Sequence, residues 1–215
     1  MRILSKYNTN RLIAGSARFF SSVLTPLVMP TYGVFLVLWT SVLCLLPIGT
    51  RILVLTMIFG ITTVLPIFAI GVLHHFKIIS DKRLNKRKER LIPYAFAILC
   101  YAAAALYLNS IHSPMWFTMF AAGGGLACLV SLIINQWWKI SAHMAGIGGV
   151  IALLYQIHVQ GLSAFNLFWL LCFFIMLAGL LGTSRMVLKR HDLLQVLAGF
   201  ANGYICVTLM IKLFG

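Results

Sequence analysis

The chain has 215 residues, of which 61% are hydrophobic and 9% are charged, and 17 Lys and Arg against 3 Asp and Glu give it a formal net charge of +14. A soluble domain carries about 25% charged residues to keep its surface in water, so this composition excludes a soluble protein. Apolar runs of roughly 20 residues, the length that crosses a bilayer core, recur along the sequence. We therefore predict an all-α, polytopic transmembrane helical bundle.

The first 21 residues differ from the rest because they carry regularly spaced basic side chains. Arg2, Lys6, Arg11 and Arg18 are interleaved with apolar residues. A cleaved signal peptide needs an uninterrupted apolar region close to its basic start, and this segment has none. Residues 1–21 are therefore predicted to form a basic interfacial segment. Residues 22–215 are predicted to form a single membrane-embedded domain.

Seven apolar spans are predicted after this segment, at about 23–46, 52–73, 91–109, 115–136, 141–159, 163–183 and 193–213. Pro26, Pro30 and Pro66 are interpreted as local kinks, since neighbouring helices can satisfy the freed carbonyl groups. Small residues at 123–125, Gly199 and Gly203 predict close helix packing within the chain, with a dimer interface as the alternative.

The basic residues predict the orientation of these spans. If all seven cross the membrane, every Lys and Arg except Arg51 and Lys212 lies on one side. Short loops rich in Lys and Arg stay in the cytoplasm, so this side is predicted to be cytoplasmic. The same rule explains the positive charge without a nucleic-acid partner. The apparent lack of a cleavable signal or transit peptide fits a bacterial inner membrane.

Acidic residues are too few for a carboxylate metal site. Only Asp81, Glu89 and Asp192 are present, and their spacing suggests no cluster. Enzymes that hold diphosphates through Mg²⁺ need such clusters. We therefore predict no metal and no cofactor. The five cysteines all fall within apolar runs and imply no disulfide framework.

Three polar clusters interrupt the apolar pattern, at 82–93, 139–143 and 184–195. Two predicted spans separate each cluster from the next, so all three lie on one face and can converge on one site. Arg and Lys suit an anion, and helix N-termini add unpaired N–H groups. His191 and Gln195 are four residues apart, so on a helix Gln195 can hydrogen-bond the imidazole of His191.

The clusters resemble the three signatures of the type 2 phosphatidic acid phosphatase superfamily. Its pattern runs K-x6-R-P, then P-S-G-H, then S-R-x5-H-x3-D. Here the third block reads Ser184-Arg185, five residues, His191, three residues and Gln195, and the second reads Ile140-Ser141-Ala142-His143. The first reads Arg83, six residues and Arg90, with Pro93 two positions late. The match covers about half of the chain.

The resemblance implies a six-helix core, with one extra span, and metal-free phosphoryl transfer through a phosphohistidine on a lipid phosphate. By this likeness His191 is the nucleophile and His143 is the general acid. Arg90, Arg185 and Ser141, with Arg83 or Lys82, would bind the phosphate oxygens, and Ser184 would add its hydroxyl or backbone N–H. Membrane lipids are the expected partners. The family has Asp where this chain has Gln195, and an amide orients a ring but carries no charge.

Other interpretations of the same residues stay open. Asp192 projects roughly 100° away from His191 on a helix, so it is an unconvincing substitute for the missing carboxylate. Taken singly, Arg90 and Arg185 suit headgroup anchors, His143 an interfacial histidine and Ser141 a helix cap. The alternative functions are a noncatalytic binder of lipid phosphates, a lipid headgroup transferase and, less well supported, a transporter.

Overall fold

The computed structural model describes residues 2–80 and 88–215, with side chains from residue 12 onwards except at Lys88. Helices dominate this part of the chain, as the sequence predicts. They are α1 (Arg2–Val23), α2 (Met29–Thr40), α3 (Ile48–Phe59), α4 (Leu65–His75), α5 (Leu91–Ser110), α6 (Met115–Ile134), α7 (Ala142–Val159), α8 (Phe168–Val187) and α9 (Leu193–Phe214). A π-helical turn, Gly60–Val64, joins α3 to α4.

Six helical segments of the described residues are long and apolar enough to cross a membrane. They are Ile48–His75, Leu91–Ser110, Met115–Ile134, Ala142–Val159, Phe168–Val187 and Leu193–Phe214. Each corresponds to one of the last six predicted spans. The prediction of an all-α, multi-pass membrane bundle is therefore confirmed.

The predicted span 23–46 differs from the structure in its length. Its helix, α2, has only 12 residues, which at about 1.5 Å per residue is shorter than a bilayer core. Pro26 and Pro30 explain the difference, because each lacks an N–H: Pro26 follows the end of α1, and Pro30 lies in the first turn of α2, where a proline is tolerated. These prolines break the helix rather than kink it. Tyr32 and Thr63 donate to the exposed carbonyls of Val23 and Leu27, at 3.1 and 2.7 Å.

Although α2 is short, the segment from the end of α1 to the start of α3 runs along the whole length of α7, from its N-terminal end to its C-terminal end. Ser21, in the last turns of α1, contacts His143 in the first turn of α7. Ser41, after α2, pairs with Ser163 beyond the C-terminal end of α7. The N–H of Val42 also donates to the carbonyl of Leu162 at 2.8 Å. The end of α1 therefore lies on the same face of the bundle as the N-terminus of α7.

The central helix is α7, whose residues Ile147, Leu153 and Leu154 are fully buried. Its most extensive packing is against α9. A Cβ atom at Gly203 would overlap the backbone of Ala145, and one at Gly199 would overlap the backbone of Ser141. These two glycines therefore let the parallel helices α7 and α9 touch. Since α8 returns the chain between them, both helices begin on the same face.

Candidate functional site

His191 lies between two helices whose ends are locally determined. Two backbone hydrogen bonds close the last turn of α8. The N–H of Arg190 donates to the carbonyl of Arg185 at 3.0 Å, and the N–H of Lys189 donates to the carbonyl of Met186 at 2.8 Å. Lys189 has a φ of 52°, as this capping motif requires. Asp192 then caps α9, accepting the N–H of Gln195 on its Oδ1 at 2.8 Å. His191 is therefore fixed between the two caps.

The side chain of His191 is hydrogen-bonded in a chain of three residues. Its Nδ1 lies 2.9 Å from Oε1 of Gln195, and Nε2 of Gln195 donates to Oδ2 of Asp192 at 2.9 Å. A carboxylate only accepts hydrogen bonds, so the amide must turn its NH₂ group toward Asp192 and its oxygen toward the ring. Nδ1 of His191 therefore carries the proton. In the neutral ring, Nε2 keeps its lone pair.

Burial and nearby positive charges keep His191 neutral. The side chain is 7% exposed. Burial lowers its pKa to about 4, the bond to Gln195 opposes this, and the charges of Arg185, Arg90 and Lys139 lower it further. At neutral pH the ring therefore offers an unprotonated Nε2 in a positively charged environment.

Ser141 precedes α7 and has an unusual hydroxyl group. The residue is fully buried, makes no side-chain cap with the helix, and its Oγ has no hydrogen-bond partner among the residues that the structure describes. Its N–H donates to the carbonyl of Gln195 at 3.1 Å, which ties it to the first turn of α9. A buried polar group without a partner costs about 1–3 kcal/mol, so this hydroxyl does not stabilise the fold. Ser141 therefore does not have the capping role that was the alternative interpretation.

Ser21 connects two of the predicted site residues. Nη1 of Arg185 donates to its hydroxyl at 2.6 Å, and Nε2 of His143 lies 3.2 Å from its carbonyl oxygen. Because a carbonyl only accepts, Nε2 of His143 carries the proton in this contact. Nε of Arg185 is buried and has no hydrogen-bond partner within the described part of the chain. The end of α1 thus packs directly against the site, although the sequence placed Ser21 in the separate N-terminal segment.

Arg90 is oriented by residues within the bundle. It hydrogen-bonds the side chain of Tyr94, which also bonds Ser131. Asn202 in turn donates to Ser131 at 2.9 Å. Burial lowers the pKa of Arg90, while Tyr94 opposes that change. Polar contacts within the bundle therefore connect the guanidinium to α5, α6 and α9.

These side chains border a cavity of about 1060 Å³. Arg90, His143, Arg185 and His191 line its polar end. The remainder runs between the helices and is lined mainly by apolar and small residues, among them Met29, Pro66, Ile70, Phe96 and Val207. The shape suits an amphipathic ligand whose anionic group lies at the polar end.

The structure brings most of the predicted site residues together. Arg90, His143, Arg185 and His191 line one cavity, while Gln195 and Ser141 contact each other behind it. Ser184 is engaged elsewhere, because its hydroxyl donates to the carbonyl of Leu180 at 2.7 Å. Lys82 and Arg83 lie outside the described residues.

The described site also includes residues that were not predicted from the sequence, among them Arg18 and Arg190, which line the cavity. Ser21 gave no signal, since its partners are more than a hundred residues away. Tyr94 follows Arg90 by four residues, a spacing that suggests a contact on a helix. The sequence predicts that Asp192 points away from the ring, yet its carboxylate is linked to the ring through the side chain of Gln195. Within the described ranges, no three His, Cys, Asp or Glu side chains are grouped to hold a metal ion.

Comparison of the chain with models of known families, with curated proteins and with solved structures finds no match.

Proposed function

We propose that the protein is an integral membrane lipid phosphatase that hydrolyses a lipid phosphomonoester or diphosphate through a phosphohistidine, without a metal ion. The observation that carries the proposal is the state of His191. Its Nδ1–H is held by Gln195, its Nε2 is unprotonated, and it borders a cavity shared with Arg185 and Arg90. A neutral imidazole beside fixed cations is the arrangement that nucleophilic attack on a phosphate requires.

The chemistry follows from these positions. Nε2 of His191 attacks phosphorus, the bond to the leaving oxygen breaks, and that oxygen takes a proton from the imidazolium form of His143, the proposed general acid, which is left neutral. The imidazole keeps its Nδ1 proton and gains a positive charge, which the oxygen of Gln195 stabilises. Water then attacks phosphorus and gives a proton to the neutral His143, the P–N bond breaks, and its electron pair returns to Nε2.

The phosphate group would be bound by donors from several elements. Arg90 and Arg185 supply charge, and the hydroxyl of Ser141 supplies a buried donor that no described residue of the protein uses. Arg83 or Lys82 would add to this set. The hydroxyl of Ser184 is committed to its own helix, so we leave it out. The lipid tail would occupy the apolar length of the cavity.

The test is phosphate release by the purified protein in mixed micelles over a panel of lipid mono- and diphosphates, with a chelator present. His191→Ala is the matched variant. Release that survives chelation and disappears in this variant is expected. A folded parent protein that releases no phosphate from any lipid would contradict the proposal.

A second candidate is a lipid-phosphate binder, or a headgroup transferase, with weakened hydrolysis. The amide of Gln195 at the position that contacts the ring favours it, because a neutral group stabilises the phosphorylated imidazole less than a carboxylate does. Under this alternative, Gln195→Asp should create or strongly raise hydrolysis. Robust hydrolysis by the parent, little changed by Gln195→Asp, would count against a binder.

We also propose that the site faces the cytoplasm, in a bacterial inner membrane. The support is the distribution of Lys and Arg, which leaves only Arg51 and Lys212 on the other face. A single cysteine placed near Arg51, in a variant without the native cysteines, should react with an impermeant reagent added to intact cells. Protection of that cysteine would reverse the orientation.

A further inference from the structure

Asp192 makes two hydrogen bonds to one residue, and only one of them is needed to cap α9. Its Oδ1 accepts the backbone N–H of Gln195 at 2.8 Å, which is the cap. Its Oδ2 accepts the side-chain Nε2 of the same residue at 2.9 Å. The second bond leads to His191, because the other end of that amide is 2.9 Å from Nδ1 of the ring.

We propose that Asp192 is a positioning residue that fixes the tautomer of His191 through Gln195. The inference rests on the proposed function, since it concerns the state of the nucleophile. It assigns a catalytic consequence to an acidic residue that contacts neither the ring nor the cavity.

The reason lies in the symmetry of an amide. A primary amide has an oxygen and an NH₂ group of nearly equal size, so the side chain of Gln195 fits in two orientations. One orientation accepts a proton from Nδ1 of His191, and the other donates to Nδ1 and leaves the proton on Nε2. Only the first leaves Nε2 able to attack. A carboxylate at position 192 selects this orientation because it accepts and never donates.

The substitution Asp192→Asn would reverse the selection. The cap requires an oxygen toward the backbone N–H of Gln195, so the asparagine must turn its NH₂ group toward the side chain of Gln195. That amide would then turn its oxygen to position 192 and its NH₂ group to His191. Nδ1 would have to accept, and the proton would move to Nε2, where it blocks attack.

The substitution Asp192→Ser separates this effect from capping. Ser and Asn are both good N-cap residues, so either keeps α9 capped. The serine hydroxyl is too short to bond both the backbone and the side chain of Gln195, and it forces no orientation of the amide. We therefore expect Asn, the closer mimic of Asp in shape, to be the more damaging replacement.

Two measurements on the parent, Asp192→Asn and Asp192→Ser test the inference in lipid nanodiscs. The first is kcat for phosphate release from the best lipid substrate. The second is the ¹⁵N spectrum of histidine-labelled protein at neutral pH, which distinguishes protonated from unprotonated ring nitrogens. His191→Gln identifies the signals of His191. We expect kcat to fall about 100-fold in Asp192→Asn and about 10-fold in Asp192→Ser, in line with the cost of a mispaired hydrogen bond at the part-buried ring of His191.

The double variant Asp192→Asn with Gln195→Asp supplies the rescue. A carboxylate at position 195 accepts from Nδ1 directly, and the asparagine can donate to it, so most of the lost activity should return. The spectra should show Nδ1–H in the parent and in the double variant, and Nε2–H in Asp192→Asn.

Three outcomes would overturn the inference. They are equal activity of Asp192→Asn and Asp192→Ser, no rescue by Gln195→Asp, or an unchanged tautomer in Asp192→Asn. The spectra also separate this inference from the proposed function. If the parent releases no phosphate, the function fails, and the tautomers still decide whether Asp192 positions His191.

Discussion

Replacing Ser141 with alanine should stabilise the protein while weakening its hold on phosphate. Its hydroxyl is fully buried and has no hydrogen-bond partner in residues 12–80 and 89–215, whose side chains the structure describes. The fold therefore carries the desolvation cost of that group, about 1–3 kcal/mol, which alanine removes. A small loss of van der Waals contact offsets part of the gain, so we expect a net stabilisation of about 1 kcal/mol.

Ser41→Ala is the matched control. Ser41 is also fully buried, but its hydroxyl donates to the carbonyl of Val37 at 2.6 Å and accepts the N–H of Leu43 at 3.2 Å. It lies at the opposite end of the bundle from the site. Alanine there removes both bonds and should lower the free energy of unfolding by about 1–2 kcal/mol. The two serines thus have equal burial and opposite expected effects.

The assay is thermal unfolding in detergent, with and without inorganic phosphate, alongside phosphate release. A change of 1 kcal/mol should move Tm by about 2–4 °C in a chain of this size, upward for Ser141→Ala and downward for Ser41→Ala. Protection by phosphate and the rate of release should fall only in Ser141→Ala. Destabilisation by Ser141→Ala, of the size seen for Ser41→Ala, would refute the reasoning, because the hydroxyl would then have a structural partner.

Three further predictions concern single groups. Tyr94→Phe removes the hydroxyl that bonds Arg90, so KM for the lipid phosphate should rise about 3- to 10-fold with a smaller change in kcat. An unchanged KM would show that Arg90 does not need the hydrogen bond to Tyr94. The pKa of His191 is about 6.5 in the unfolded chain and about 4 in the folded protein, so the unfolded state binds more protons between these pH values. The free energy of unfolding should therefore fall by roughly 2 kcal/mol as the pH drops from 6.5 to 4. His191→Gln should remove this part of the pH dependence, which calorimetry at several pH values can measure. Lys189→Gly removes the strain of a non-glycine residue in the left-handed region, where φ is 52°. It should raise the free energy of unfolding by about 0.5–1 kcal/mol. A lower Tm would contradict the conclusion that Lys189 is strained at the end of α8.

The amino-acid sequence alone determined the architecture and part of the site. Backbone groups in lipid must form their hydrogen bonds within their own helix, so long apolar runs fold as membrane-spanning helices. Six of the seven predicted spans correspond to helices long enough to cross the membrane. The four-residue spacing also predicted the contact between Gln195 and His191, which forms although His191 lies just before the cap of α9.

Only the tertiary structure decided the features that depend on distant contacts. Pro26 follows the end of α1, and Pro30 lies in the first turn of α2. The break between these helices is tolerated because Tyr32 and Thr63 donate hydrogen bonds to carbonyl groups of the connecting segment. Ser21 reaches its partners across 122 and 164 residues of sequence. No local pattern encodes such a contact, since it depends on how α1, α7 and α8 pack.

The role of Asp192 shows the same division at one residue. Its position before α9 predicts a helix cap, and its angle from His191 on that helix argued against a contact. The first statement holds, whereas the second assumed that His191 belongs to α9, which begins only after the cap at Asp192. The structure adds the side chain of Gln195, which bonds the carboxylate at one end and the imidazole at the other. The spacing of residues along a helix determines the direction of each Cα–Cβ bond. The hydrogen bonds depend on which terminal polar atoms of the side chains come into contact, and this is decided by the tertiary structure.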